Sequence, residues 1–327
     1  MTAVTDTSEA PIVVEQATGS MPRHHLAIFA GLLLLALAAP FFLYPVFLMK
    51  VMCFALFACA LNLLLGFGGL LSFGHAAFFG SAAYVSAHAA KVWGLTPEVA
   101  IILGTLSATV LGVVIGILAI RRQGIYFAMV TLAFAQMVYF ASLQAPFTGG
   151  EDGIQNVPRG DLFGIISMRS DFSLYFVVLV ITFGGLLAIY RIIHSPFGQV
   201  LKAIRENEPR ATSLGYRVNS YKLTVFVLSA TFAGMAGATK AIVFQLASLT
   251  DVYWTMSGEV VLMVLLGGMG TVFGPLVGAA VIVTMQNYLA SLGAWVTIIQ
   301  GCIFVISVML FREGIVGVVA KLVRRPL

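Results

Sequence analysis

The sequence predicts an all-α, polytopic membrane protein: a bundle of about ten transmembrane helices, some of them broken by glycine, with both termini on the cytoplasmic side. Three observations carry this reading. Of 327 residues, 60% are hydrophobic and only 9% charged, whereas a soluble domain carries about 25% charged residues. Mean hydropathy is +1.01, which would leave a soluble fold with too much apolar surface in water. The apolar residues also fall into blocks near the roughly 20 residues that cross a bilayer as a helix.

The elements follow in order. Residues 1–22 are polar and carry Asp6, Glu9 and Glu15 ahead of the first apolar block. A secretory signal would place a basic patch directly before a short apolar run and a small-residue cleavage site. This segment is therefore expected to be a disordered cytoplasmic tail. Apolar blocks then run at 26–43, 47–65, 73–90, 99–120, 125–147, 173–193, 223–247, 255–270, 275–291 and 295–311. Only Tyr44 and Pro45 mark the break between the first two, and the eighth is short. The count thus lies between about eight and ten spans, with ten preferred. The membrane domain is expected over 23–317, followed by a basic cytoplasmic tail over 318–327.

Orientation follows from Lys and Arg in the connections. With the N-terminus inside, ten spans place most of the 18 basic residues on the cytoplasmic side. Among these are Arg121, Arg122, Arg191, Lys202, Arg205, Arg210, Arg217, Lys222, Arg312, Arg324 and Arg325. Lys91, Arg159 and Arg169 fall outside, with the acidic Glu151, Asp152, Asp161, Asp171 and Asp251. The net charge of +5 is thus a topology signal, too dispersed for nucleic-acid binding. The outer connection 148–172 is punctuated by Gly and Pro and should form compact turns. Its acids lack the spacing of a calcium loop; a lip that meets an extracytoplasmic partner is the functional reading, a plain loop the bland one.

Cys53, Cys59 and Cys302 all lie in apolar blocks without metal or disulfide spacing, and are expected to be small buried hydrophobes. No phosphate-binding Gly-x-x-x-x-Gly-Lys-Ser/Thr loop, zinc helix or Gly-x-Ser-x-Gly nucleophile turn is present in the sequence. The chain is therefore expected to be no enzyme, to bind no metal or cofactor, and to hydrolyse no nucleotide.

Two glycine clusters interrupt the apolar pattern. The first contains Gly66, Gly68, Gly69, Phe73 and Gly74, the second Gly267, Gly268, Gly270 and Gly274. Both begin Leu-Leu-Gly-x-x-Gly and run on to Phe-Gly, a weak sign of internal duplication. A glycine in a helix costs about 1 kcal/mol relative to alanine, so several together favour a break. Irregular backbone at membrane depth survives only inside protein or along a wet cavity. Two readings stand open: a solute pathway, or close helix packing through small residues. His75 follows the first cluster and is either a substrate contact or, the plainer reading, a structural hydrogen-bond partner. Lys50 and Lys240 are expected to snorkel to an interface. Glu259 caps the eighth span or faces the pathway, with the cap preferred.

The polar loop 194–222 is the most informative segment. Residues 198–206 have helical composition, with Val200, Leu201 and Ile204 on one face. Pro209 suits the first position of a new helix with Glu208 at its cap, and Gly215 suits the stop. A helix over 209–214 would be about 9 Å long, exposing Arg210 and presenting Ala211 and Leu214 along one side. Such a knob fits a cleft in a soluble partner; an ordinary interhelical linker is the alternative.

Here the sequence resembles a family: the LivM-type permease subunits of ATP-binding-cassette importers for branched-chain amino acids. The matching segments are 60–80, 124–136, 149–153, 203–211 through Gly215, and 267–275, in family order. The resemblance implies a pore in the bacterial inner membrane that pairs with a second, similar permease. It also implies two cytoplasmic ATPase subunits that hydrolyse ATP and a periplasmic solute-binding protein. The wider importer class marks its ATPase-docking loop Glu-Ala-Ala-x-x-x-Gly. Ala211 and Gly215 match its second alanine and its glycine, while Pro209 and Arg210 replace the first two residues and Glu208 stands one place early. The docking segment so implied comprises Glu206, Asn207, Glu208, Pro209, Arg210, Ala211, Leu214 and Gly215. Similar permeases serve urea, short amides or aromatic acids, and a stand-alone carrier or channel is the rival from another class.

Overall fold

The computed structural model describes residues 23–162, 164, 166–290, 293, 295–310 and 314–323. The expected tail 1–22 and the basic residues Arg312, Arg324 and Arg325 lie outside the described residues. Each apolar block coincides with a helix: α1 Arg23–Ala38, α2 Pro45–Asn62, α3 His75–Lys91, α4 Pro97–Ala119, α5 Ile125–Gln144 and α6 Asp171–Ile193 in the first half. The polar loop supplies α7 Pro196–Glu206 and α8 Glu208–Ser213. There follow α9 Val218–Phe244, the single turn α10 Leu249–Val252, α11 Trp254–Gly267, α12 Gly274–Tyr288, α13 Trp295–Leu310 and α14 Gly314–Val323. The last of these runs across the boundary expected at 317 and packs on α11 and α12.

Among the described residues, five helical segments are long and apolar enough to cross a membrane: Pro45–Phe67, Pro97–Ala119, Ile125–Gln144, Asp171–Ile193 and Val218–Phe244. The molecule is a helical, multi-pass membrane protein. Proline sets several helix starts, at the first turn of α2, α4, α7 and α12, where its missing N–H costs nothing. The described residues are mostly helical, with short strands confined to the connections. Among the described residues four two-residue strands occur: β1 Ile154–Gln155, β2 Asp161–Leu162, β3 Ile166–Ser167 and β4 Leu246–Ala247. Strand β1 pairs antiparallel with β4, strapping the outer connection to the end of α9. Arg159 reinforces the strap, donating to Asp171 at 2.7 Å and to the Val243 carbonyl at 3.0 Å.

Helix α2 is the central post, with Phe57, Ala58, Leu61 and Leu64 of its extended segment fully buried. Helices α6, α9 and α12 pack against it, and α3, α4 and α9 pack on one another through small residues. On α4, Gly104, Ala108 and Gly112 recur every four residues and face Ala238, Gly234 and Ala230 of α9. Hydrocarbon tails are as apolar as leucine, so close backbone approach drives association of membrane helices. Cys53 and Cys59 are buried as expected, but Cys302 is exposed on α13: an apolar helix at the edge of a bundle has a face turned away from the protein.

Candidate functional site

The two glycine clusters are turns between helices. Helix α2 widens into a π-turn over Leu63–Phe67 and the chain reverses into α3; α11 reverses likewise into α12. Equivalent positions do equivalent work. The fourth residues of the two Gly-x-x-Gly motifs, Gly69 and Gly270, have φ of 68° and 79°, values that L side chains rarely adopt. At the first residues, Gly66 and Gly267, a Cβ would strike backbone, of Gly270 and Gly274 respectively. Both turns are tied off by a hydroxyl: Ser72 Oγ accepts from the Gly74 N–H at 3.1 Å, Thr271 Oγ1 from the Gly274 N–H at 3.1 Å.

The turns touch each other. Asn62, buried at the end of α2, donates to the Thr271 carbonyl at 2.8 Å and accepts from the Gly270 N–H at 3.0 Å. Gly268, with φ of 124°, lies against Gly314 at the start of α14. Gly69 and Phe73 line an apolar cavity of about 470 Å³ beside α5, and the Phe73 N–H donates to Thr131 Oγ1.

The polar loop sits on the same end. Leu201 and Ile204 of α7 are buried, as their spacing predicted. Arg205 donates to the Gly66 carbonyl and its stem covers Gly69. Lys202 Nζ lies 5.7 Å from the centre of the Phe67 ring. The loop's second helix starts one residue earlier than expected, because its cap is Asn207, whose side chain accepts from the Arg210 N–H at 3.0 Å. Glu208 is thus inside the first turn and not the cap. Its carboxylate accepts from Lys222 Nζ at 2.7 Å and from Gln123 Nε2 at 3.2 Å. Ala211 and Leu214 do not share an outer side: Ala211 is buried with Ile204 and Val218, while Leu214 is 69% exposed. Gly215 follows with φ of 87° and open space around it. Glu206, Pro209 and Arg210 are exposed. The knob therefore presents Arg210 and Leu214 outward on a base anchored by Ala211.

His75 is fully buried at the start of α3. Its Nε2 lies 2.7 Å from Ser229 Oγ, and Ser229 donates to the Ala60 carbonyl. The ring joins α3 to α9 and, through Ser229, to α2.

At the opposite end, Lys50, Lys240, Asp251, Glu259 and Gln286 line one cavity. Two expectations fail here. Lys240 does not snorkel: its ammonium is held by both carboxylate oxygens of Asp251, at 2.8 and 2.7 Å, with both residues buried. Burial is tolerable because the pair is complete and Asp251 also takes the Ser248 N–H in a capping box. Glu259 caps nothing, since α11 starts after Tyr253 and Glu259 lies a full turn in. It accepts from Gln286 at 3.1 Å and faces the cavity. Sequence reasoning missed Asn62, Arg205, Gln286 and Lys222 as site residues; a lone amide at the end of an apolar span was the available signal for the first.

A helical membrane bundle with a capped surface helix joined to paired glycine turns is an arrangement suited to a transport subunit. Comparison with known proteins agrees. Residues 44–308 match the family described as branched-chain amino acid transport system / permease component, and the chain belongs to it. It is a membrane permease of the ATP-binding-cassette type, not an enzyme. It is similar to the high-affinity branched-chain amino acid transport system permease protein LivM of Salmonella typhimurium, 29% identical over 96% of this chain and 80% of the relative. The LivM of Escherichia coli is 29% identical over 91% of this chain and 76% of the relative. The ribose import permease RbsC of Bacillus subtilis is 27% identical over 68% and 70%. No solved structure matches significantly.

Proposed function

We propose that this chain forms half of the solute pathway of a bacterial inner-membrane importer for branched-chain amino acids. It pairs with a second permease, is driven by two cytoplasmic ATPases and is fed by a periplasmic binding protein. The observation that carries the coupling is the contact of Arg205 with Gly66, which joins the docking loop 194–222 to the first glycine turn. The names of the similar LivM proteins support the solute class. In this reading ten helices span the bilayer with both termini inside, so that the glycine turns and the docking loop share the cytoplasmic face.

The mechanism follows from rigidity. Helix α8 seats in the ATPase through Pro209, Arg210, Leu214 and the turn at Gly215. When ATP binding closes the ATPases, the knob moves. Helix α7 moves with it, because Ala211 and Ile204 share one small core. Arg205 then draws on the Gly66 turn, and Asn62 carries the displacement to the turn at Gly270. Both hairpins, α2–α3 and α11–α12, shift together and change which side the pathway opens to.

The test is co-purification of the ATPases in mild detergent, with leucine uptake and stimulated ATP hydrolysis measured for wild type and Gly215→Val. A β-branched residue at φ of 87° is a conformational outlier. The expected result is normal insertion, loss of uptake and loss of stimulation. Wild-type values for both would remove the docking assignment, and a wild-type chain that transports without ATPases would remove the importer reading.

A further inference from the structure

The cavity at the end opposite the docking loop plays no part in the coupling just described. It encloses about 410 Å³, within the roughly 300–1,000 Å³ of small-molecule sites. We infer that it binds the backbone of a zwitterionic amino acid in transit, Lys50 taking the carboxylate and Glu259 the ammonium group. This deepens the proposed function and rests on it.

Lys240 and Asp251 neutralise one another inside the fold. Lys50 and Glu259 face the same cavity, yet among the described residues neither joins an ion pair. Gln286 gives Glu259 one hydrogen bond from a neutral amide, which leaves acceptor positions on a carboxylate that offers about four. The ammonium of Lys50 has three donors to offer. Lys50 and Glu259 lie in the apolar helices α2 and α11, and ionisable residues in such helices are costly and mark solute pathways.

A zwitterion meets both charges at once. A simple organic anion or cation would satisfy one and leave the other, and an uncharged amide such as urea would satisfy neither. This charge count favours an amino acid over the urea, amide and aromatic-acid alternatives. Beside the charges, Phe54, Met256 and Phe244 provide an apolar wall for an aliphatic side chain. Access is also built in. A second cavity of about 260 Å³ shares Lys50 and Phe244 and is bounded by Tyr44 and Tyr288, which are 67% and 68% exposed at their helix ends.

The experiment uses the assembled permease–ATPase complex in nanodiscs, without binding protein, and equilibrium binding of radiolabelled leucine. Competitors are leucinamide, which lacks the carboxylate, and 4-methylpentanoate, which lacks the amine. Lys50→Met should weaken leucine at least about tenfold, the loss expected for a charged hydrogen-bond partner, and leave leucinamide unchanged. Glu259→Gln should weaken leucine similarly and leave 4-methylpentanoate unchanged. Lys50→Arg and Glu259→Asp, which keep the charges, should recover most of the binding and guard against misfolding. Wild-type leucine binding and uptake in both neutral variants would overturn the site while leaving the importer reading standing. Loss of permease pairing in both would overturn it too, assigning the charges to the subunit interface. A wild-type complex without ATP-dependent uptake of any amino acid would overturn both readings.

Discussion

Asn62→Leu isolates the link between the two glycine turns. The side chains are similar in size, so the change removes polarity more than volume. Two hydrogen bonds disappear, at 2.8 and 3.0 Å. Side-chain hydrogen bonds in membrane proteins average about 0.6 kcal/mol with a maximum near 1.7, so the pair accounts for roughly 1–3 kcal/mol. The Thr271 carbonyl and the Gly270 N–H lose their partner, and a buried polar group left unsatisfied costs about 1–3 kcal/mol. These ranges overlap in what they count, so the clamp should weaken by about 2–4 kcal/mol, a factor of roughly 30 to 1,000 between clamped and separated turns. The assay is leucine uptake and ATP hydrolysis by the reconstituted complex, with its heat stability followed alongside. Uptake should fall at least about tenfold with hydrolysis retained, because α8 still seats while the second hairpin no longer follows the first. Asn62→Asp should also fail, since it keeps the acceptor for Gly270 but sets an oxygen against the Thr271 carbonyl. If Asn62→Leu transports at the wild-type ratio of solute to ATP and is equally heat-stable, the turns are not coupled through this residue and the mechanism is wrong.

Three further outcomes follow from the same geometry. Arg205→Met removes the bond to Gly66 while retaining the stem over Gly69, and should raise the ATP hydrolysed per leucine transported; an unchanged ratio would count against α7 as the connecting rod. Glu208→Gln and Lys222→Met should each weaken transport, and the double variant should lose less than the sum, because the two form an internal pair at 2.7 Å with a coupling of about 0.5–3 kcal/mol; wild-type transport by Lys222→Met beside an inactive Glu208→Gln would instead assign Glu208 to the ATPase. Gly104→Leu drives a side chain into the Ala82 carbonyl and Ala238, and overpacking of this kind costs about 1–3 kcal/mol, so the variant should unfold at lower temperature in detergent; an unaltered melting curve would show that α4 adjusts freely against α3 and α9.

Much of the fold was legible because the bilayer leaves few options. A stretch of apolar residues in hydrocarbon must satisfy its own backbone, which only a helix does in one segment, so block boundaries and helix boundaries nearly coincide. The short helix of the polar loop was legible for a related reason: Pro209 and Gly215 punctuate a short polar helix whatever surrounds it. Its cap was misplaced because Asn207 and Glu208 are both plausible there by type, and only geometry shows which side chain reaches the Arg210 N–H. The packing stripe Gly104, Ala108, Gly112 was also present as a spacing of four, but nothing in one helix reveals the opposing stripe on α9.

Charged residues inside the bundle were the least legible. Lys240 and Asp251 are eleven positions apart and separated by a strand, and their pairing depends on where β1 and β4 hold the end of α9. Lys50 and Glu259 share a cavity although a whole bundle intervenes in sequence. Composition, block length and turn residues by themselves determined the membrane class, the helices and the existence of a short capped helix in the polar loop, because these depend on local backbone chemistry and on the solvent. Tertiary structure alone decided that the two glycine turns meet, that Asn62 and Arg205 join them to the knob, and that Lys50 and Glu259 line one cavity at the far end. Those are contacts between segments distant in sequence, and their energies exist only once the helices have packed.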